Sequence, residues 1–433
     1  MPEGLQHTLS LFRGSDLFKV PSFLRALYRY GLSTSGPIAV SAAHFVASLI
    51  FLRMLQQAEF GQFSFLLVIV PFCLGATGAL LGAPATLTRG KDEATARAEI
   101  ATLHKISLVF SGLAGLAVGA LMYSTQAHAG TALVFGFYGV ASVLRGFARS
   151  LGNIRGQLLR VAGSDLLYSI FLVSGLGSLI ALGRLTMPNA ALVLTVAALT
   201  SFAPFGWAHI REILGAVRTQ AFSLYAPIWQ DVSRWSLMGV VLTEFTTNTH
   251  AYLVTLLSGP KAFGLLAVGA LFMRPASLVL STLPDIDQPL MTRRLAQGDI
   301  KGALRVVNEF RMAAIAVLAS AVLLSVAIMT WFPQLLAKKG YDGNQVLIVL
   351  FLWIAITALR AVRSPTAVFF QALGRYSELA RVSAWSCATS LIVTLTLLLT
   401  LGPVASLGGV LAGEVAIVLA LFPRMRAWRR QHA

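Results

Sequence analysis

Charged side chains inside long apolar runs are the first place to look for chemistry, because each costs a few kcal/mol or more at bilayer depth unless it is paired or hydrated. Arg274 stands in LFMRPAS, directly before Pro275, and Arg360 and Arg363 stand one helical turn apart in ITALRAVRSP. A guanidinium keeps its charge and suits bidentate phosphate binding, so the three arginines point to a hydrated cavity that takes an anion. The competing reading is pairing with buried carboxylates, for which Glu244 and Glu414 are available at similar depth. Glu244 precedes Thr246, Thr247, Asn248, Thr249 and His250, a polar stretch unusual within a membrane helix. These groups could line a wet path or bind hydroxyl-rich ligands, Asn248 among them, or equally hydrogen-bond to neighbouring helices. Glu244 fits two roles, a proton-releasing coupling group or a counter-ion for Arg274. His44 is a further group able to titrate, or a packed, hydrogen-bonded histidine. The ligand-binding set expected from sequence is therefore Arg274, Arg360, Arg363 and Asn248. Glu244, His44 and Glu414 are the expected coupling or counter-ion groups.

The elements that must hold these residues are helices in a membrane. The chain has 433 residues, 56% hydrophobic and only 12% charged, with a formal net charge of +17. Soluble domains carry about 25% charged residues, which excludes an ordinary soluble enzyme. Two cysteines, Cys73 and Cys387, exclude a disulfide scaffold, and both fall in apolar runs. Twelve runs are long enough to cross a bilayer: 31–52, 61–84, 104–123, 131–151, 162–182, 190–210, 233–257, 262–284, 312–332, 346–371, 381–401 and 406–423. They are continuous rather than alternating, so a β-barrel is excluded. The predicted fold class is an all-α polytopic membrane protein.

The basic residues orient it. With a cytoplasmic N-terminus, Arg53, Arg184, Lys261, Lys338 and Lys339 are the five of 34 that fall outside. The rest gather at the termini and the even-numbered connections, as the positive-inside rule requires. Both termini are expected in the cytoplasm. The positive charge is thus read as topology and lipid contact, and no nucleic-acid partner is expected. Arg145 and Arg149, near the cytoplasmic end of the fourth run, are read as headgroup contacts or as attractors of an anion. Residues 1–30 show no cleavable signal peptide, and Ser22–Tyr30 has the pattern of a short interfacial helix.

The sequence divides into an N-terminal segment (1–30), a six-helix bundle (31–210), a cytoplasmic linker (211–232), a second six-helix bundle (233–423) and a basic tail (424–433). The division rests on an internal repeat. The first run leads to Glu59-Phe60-Gly61 and the seventh to Ala262-Phe263-Gly264, each followed by an apolar helix and a basic loop. Six spans per half give both halves one orientation, hence a pseudo-two-fold axis along the membrane normal, a common transporter plan. Enzyme signatures are missing: the chain has no phosphate-loop motif, no H-E-x-x-H and no paired C-x-x-C. Neither a cofactor nor a metal is expected.

The opening unit resembles the first two helices of bacterial polysaccharide flippases, whose first helix commonly ends in an R-x-L-x-x-x-x-F/Y-G-x-(Y/F)-(S/A) turn. Here that turn is Arg53, Leu55, Phe60, Gly61, Phe63 and Ser64. The second unit repeats it from Leu256 to Phe263-Gly264 without the arginine, and Gln371-Ala372-Leu373-Gly374-Arg375 resembles the family's turn after the tenth helix. The resemblance implies the O-antigen/exopolysaccharide branch of the MOP exporter superfamily. Its members move undecaprenyl-pyrophosphate-linked oligosaccharides between leaflets of the inner membrane by alternating access, through cationic cavities. It also implies polysaccharide polymerase or assembly proteins as partners, beside membrane lipids. The drug-antiporter branch often relies on an acidic residue in its first helix, where this chain has His44 and no carboxylate. A small-solute or drug antiporter and a non-transporting membrane scaffold remain the alternative readings.

Overall fold

The computed structural model describes residues 22–88, 91–217, 221–331 and 341–432. Expectations for residues 1–21, Lys338 and Lys339 lie outside them. Among the described residues the regular structure is entirely helical. The first half contains α1 (Ser22–Met54), α2 (Gln57–Leu87), α3 (Glu93–Ser124), α4 (Ala129–Ile154), α5 (Leu158–Ala181) and α6 (Met187–Thr200). A linker helix (Gly206–Val217) follows. The second half contains α7 (Arg234–Ser258), α8 (Pro260–Ala296), α9 (Ile300–Trp331), α10 (Gly343–Ala372), α11 (Tyr376–Leu401) and α12 (Leu407–His432). The protein is a multi-pass membrane protein of two six-helix bundles related by a pseudo-two-fold axis.

Eleven helical spans are long and apolar enough to cross a membrane, α6 counting as one only together with the helical residues that follow it to Ala216. The exception is α7, whose 25 residues are long enough at about 1.5 Å per residue but carry Glu244 and the Thr-Thr-Asn-Thr-His stretch. A helix of that composition needs neighbours that satisfy its polar groups, and α7 packs against α2, α8 and α11. The outer faces show the reverse pattern. Leu116, Leu323, Phe351 and Trp385 are at least 70% exposed in the isolated chain, as side chains that a bilayer covers should be.

One sequence expectation changes: the helix expected at Ser22–Tyr30 is continuous with the first span as α1. The stretches between the second and third and between the eighth and ninth apolar runs are mostly helix: α3 starts at Glu93, α8 runs to Ala296 and α9 starts at Ile300. The charge that marks these stretches as wet does not break a helix; it lets the helix leave the membrane with a solvated face. Asp92 caps the start of α3 by accepting from the Thr95 backbone N–H (2.9 Å), which holds its carboxyl below the usual carboxylate range.

Glycine sets the closest approaches. In α3 and α4, Gly115 and Gly136 face each other so closely that a Cβ at Gly115 would lie 2.8 Å from the Gly136 carbonyl oxygen. Between the halves, α2 meets α8 at the repeat-equivalent pair itself. A Cβ at Gly264 would lie 3.4 Å from the Gly61 Cα and 2.9 Å from the Gln57 carbonyl oxygen, and one at Gly61 would overlap the Pro260 carbonyl. Equivalent residues that meet each other must lie beside the symmetry axis. Below this contact Phe65 packs edge-on against Tyr252 and Phe263 of the other half, with centroids 5.6 and 6.1 Å away. At the basic end the first half meets the linker and the start of the second half. A π-helical turn over Gly78–Gly82 in α2 frees the Leu80 carbonyl, which accepts from the Tyr225 hydroxyl of the linker at 2.9 Å and from the Ser233 hydroxyl at 3.4 Å.

Candidate functional site

Between the two contacts lies a cavity of about 210 Å³ walled by α1, α2, α7, α8 and α10. The first half supplies Ser48 and Ser64, and the second supplies Asn248, His250, Arg274, Ser277 and Arg360. Phe60 and Phe263 close it toward the glycine contact. Arg274 lies eleven residues beyond Phe263 on α8, about 16 Å along the helix axis. Its successor Pro275 has no N–H to give the carbonyl one turn back, a local weakness where α8 borders the cavity. No aspartate or glutamate lines this space.

Arg274 has no carboxylate partner among the described residues. Its Nη1 donates to the Ser48 hydroxyl across the interface between the halves, at 3.3 Å. The expected counter-ion, Glu244, instead accepts from the Tyr252 hydroxyl of its own helix at 2.8 Å. Glu414 takes both arginines of α10: Arg360 Nε donates to Oε1 at 2.7 Å, and Arg363 donates to both carboxylate oxygens. Glu414 is fully buried, and the arginine side chains keep 21% and 23% exposure. Close α11–α12 packing holds the carboxylate there, since a Cβ at neighbouring Gly413 would lie 2.9 Å from the Ser390 Cβ.

The structure thus gathers Arg274, Arg360 and Asn248 of the expected set around one cavity. Arg363 stands behind Arg360, bound to Glu414, and is not part of the lining. Arg360 is paired through Nε, yet its Nη2 is buried without a hydrogen-bond partner. An unpartnered buried donor beside a cavity is a place for an acceptor. His44 is held elsewhere, its Nε2 2.7 Å from the Tyr168 hydroxyl, which lies 2.9 Å from that of Tyr138.

Sequence reasoning missed one carboxylate. Asp165 of α5 is fully buried and binds Arg145 at 2.5 Å and Arg149 at 2.8 Å. The headgroup reading of Arg145 and Arg149 is therefore corrected: Arg145 is 7% exposed, inside the first half. The signal was present, because Asp165 is an ionisable residue within the fifth apolar run. Ser48 and Trp353 also join the cavity wall, the indole N–H donating to the Leu266 carbonyl at 3.0 Å.

No protein-family profile and no curated protein sequence matches the chain. Solved structures do. The chain is similar to a multidrug resistance MATE family transporter of the MOP superfamily in its inward-facing conformation, with TM-score 0.66 and 15% identity over 93% of this chain and 100% of that one. It is also similar to the lipid II flippase MurJ in an inward closed conformation, with TM-score 0.68 and 12% identity over 91% of this chain and 87% of that one. An outward-facing MATE structure gives TM-score 0.58 at 15% identity, over 97% of this chain and 100% of that one. The two-bundle architecture of the chain is the fold of MOP-superfamily transporters.

Proposed function

We propose that the chain is a transporter of the MOP type that flips a lipid-linked anionic oligosaccharide across the bacterial inner membrane. The observation that carries the reading is the charge of the cavity between the halves. Its only ionised side chains are the arginines Arg274 and Arg360, and it has no acidic lining residue. A drug cation would meet the carboxylate-free Arg274 and the surplus positive charge of the Arg360–Arg363–Glu414 cluster, whereas a diphosphate would find two guanidiniums, Asn248 and several hydroxyls. Similarity to a lipid II flippase supports a lipid-linked substrate, and similarity to drug exporters supports only the transporter frame.

A volume of about 210 Å³ suits a diphosphate group and is too small for an oligosaccharide. The sugar must therefore occupy space that opens when the bundles 31–210 and 233–423 rock apart, while the lipid tail stays in the bilayer. Closure at Gly61–Gly264 shuts the cavity on one side, so release of the Leu80 contact would admit substrate from the basic side, which the positive-inside rule supports as cytoplasmic, together with both termini. An inside-negative potential then favours outward movement by about 2.3 kcal/mol per negative charge per 100 mV. Glu244 and His44 are the groups available for proton coupling. Polysaccharide polymerase or assembly proteins are the partners that would receive the exported unit.

The test is transport of an undecaprenyl-pyrophosphate-linked oligosaccharide in proteoliposomes. Arg274→Ala should abolish transport and weaken diphosphate binding at least tenfold, the worth of about 1.5 kcal/mol for a charged hydrogen bond, without loss of folded protein. Normal transport by a folded Arg274→Ala protein would remove that residue from the mechanism. Export of cationic drugs by wild type with no lipid-linked transport would overturn the reading itself.

A further inference from the structure

The linker helix carries two residues that the transport reading does not use. His209 and Glu212 lie three positions apart on one face and point toward His104, near the basic end of α3. The Glu212 Oε2 is 3.6 Å from His104 Nε2 and 3.8 Å from His209 Nδ1, and the three donor atoms all lie within 4.8 Å of one another. Among the described residues this is the one such cluster of histidine, cysteine and carboxylate side chains.

His104 supplies a second, independent observation. Its side chain is 1% exposed, between the rings of Phe147 and His209, and neither ring nitrogen has a hydrogen-bond partner. Nδ1 has no polar neighbour to bond and Nε2 has only the Glu212 carboxylate, beyond hydrogen-bond distance, an unfavourable burial unless something binds between them. Arg155 also holds Glu212, with Nη1 at 3.0 Å from Oε2, the oxygen nearest the histidines, and at 3.2 Å from Oε1, which restricts how the carboxylate can turn.

We propose that His104, His209 and Glu212 form a binding site for a first-row transition-metal ion, zinc above all, that fastens the linker helix to α3. Two imidazoles and one carboxylate are a donor set that zinc takes with a water in the fourth position. Bonds of about 2.1 Å in a tetrahedron put ligand atoms about 3.4 Å apart, so the observed spacings need to contract by only a few tenths of an ångström along the measured edges. Glu212 keeps 40% side-chain exposure, which leaves an entry path and room for the water. Its other oxygen stays with Arg155. Calcium and magnesium, which demand oxygen ligands, fit poorly. The consequence is mechanical: α3 belongs to the first half, while the linker helix leads into the second. A bound ion restrains the one covalent connection between two bodies that must move relative to each other.

The proposal does not depend on the substrate, and its test needs no transport assay. The full-length protein is purified in detergent, stripped with chelator and titrated with Zn²⁺ against a chromophoric competitor, then with Co²⁺ while the visible d–d bands are recorded. One equivalent of Zn²⁺ should bind at low-micromolar affinity or tighter, and Co²⁺ should give the intense bands of a four-coordinate site. Glu212→Gln and His209→Ala should each weaken binding by about tenfold or more. Glu212 is exposed enough that its variant will fold even where His104→Ala does not. Absence of a stoichiometric site, or unchanged affinity in both variants, would overturn the proposal and leave a metal-free cluster of hydrogen-bonding side chains.

Discussion

Helices α4 and α10 occupy equivalent places in the two halves, and each sets a pair of arginines against one carboxylate. In the first half Arg145 and Arg149 meet Asp165, which comes from the next helix, α5. In the second, Arg360 and Arg363 meet Glu414 of α12. Each cluster carries one surplus positive charge. The first is sealed around Arg145 and Asp165, while Arg149 keeps 24% side-chain exposure. Arg145 stacks over the Tyr168 ring at 4.5 Å, its Nε reaches Ser164, and Gly36 of α1 comes so near that a Cβ would strike the Asp165 side chain. The second opens on the cavity through Arg360. On the proposed reading the same charge pattern serves two ends, structure where a neighbouring helix covers it and ligand contact where it borders the cavity between the halves.

The sharpest way to break this comparison is to remove each carboxylate. Asp165→Asn leaves the buried Arg145 guanidinium without its carboxylate and beside Arg149, and should cost about 3–5 kcal/mol, enough to cut the yield of folded protein. Thermal melting of the purified variant, or its absence from the membrane fraction, checks this. Glu414→Gln should cost less, about 1–3 kcal/mol, because Arg360 borders the cavity and can hydrate there, and Arg363 keeps 23% side-chain exposure. The same change raises the positive charge at the cavity, so binding of inorganic pyrophosphate should tighten about tenfold, or 1.4 kcal/mol. Equal destabilisation by the two substitutions, with no gain in pyrophosphate affinity, would show that the clusters do the same work.

The apolar runs were readable because crossing a bilayer demands length and composition, and neither depends on the partner helices. The repeat was readable from Phe60-Gly61 and Phe263-Gly264 for a related reason: a glycine needed at the symmetry axis is needed in both halves. Arg274 stood out because charge at mid-depth is costly. What could not be read was pairing. Whether Glu244 or Glu414 would answer an arginine depends on how each helix is rotated, which the glycine and serine contacts of α11 and α12 decide. Asp165 lay in plain view but gained meaning only once α4 and α5 were side by side. His104 and His209 are separated by three α-helices in the chain, a distance no local spacing rule covers.

The smallest expected effect concerns His44, which the sequence offered as a coupling group and the structure places in the sealed half. The Tyr168 hydroxyl joins it to Tyr138 in a short buried chain of hydrogen bonds beside Arg145. Tyr168→Phe keeps the ring that Arg145 covers and removes only the hydroxyl, so it should cost about 1 kcal/mol and lower the melting temperature by a few degrees. The pH dependence of transport makes the variant informative. If His44 serves structure, the profile of Tyr168→Phe should overlay that of wild type. If His44 carries the coupling proton, losing its hydrogen-bond partner should displace the profile along the pH axis, and function would then reach into the half that the charge clusters mark as structural.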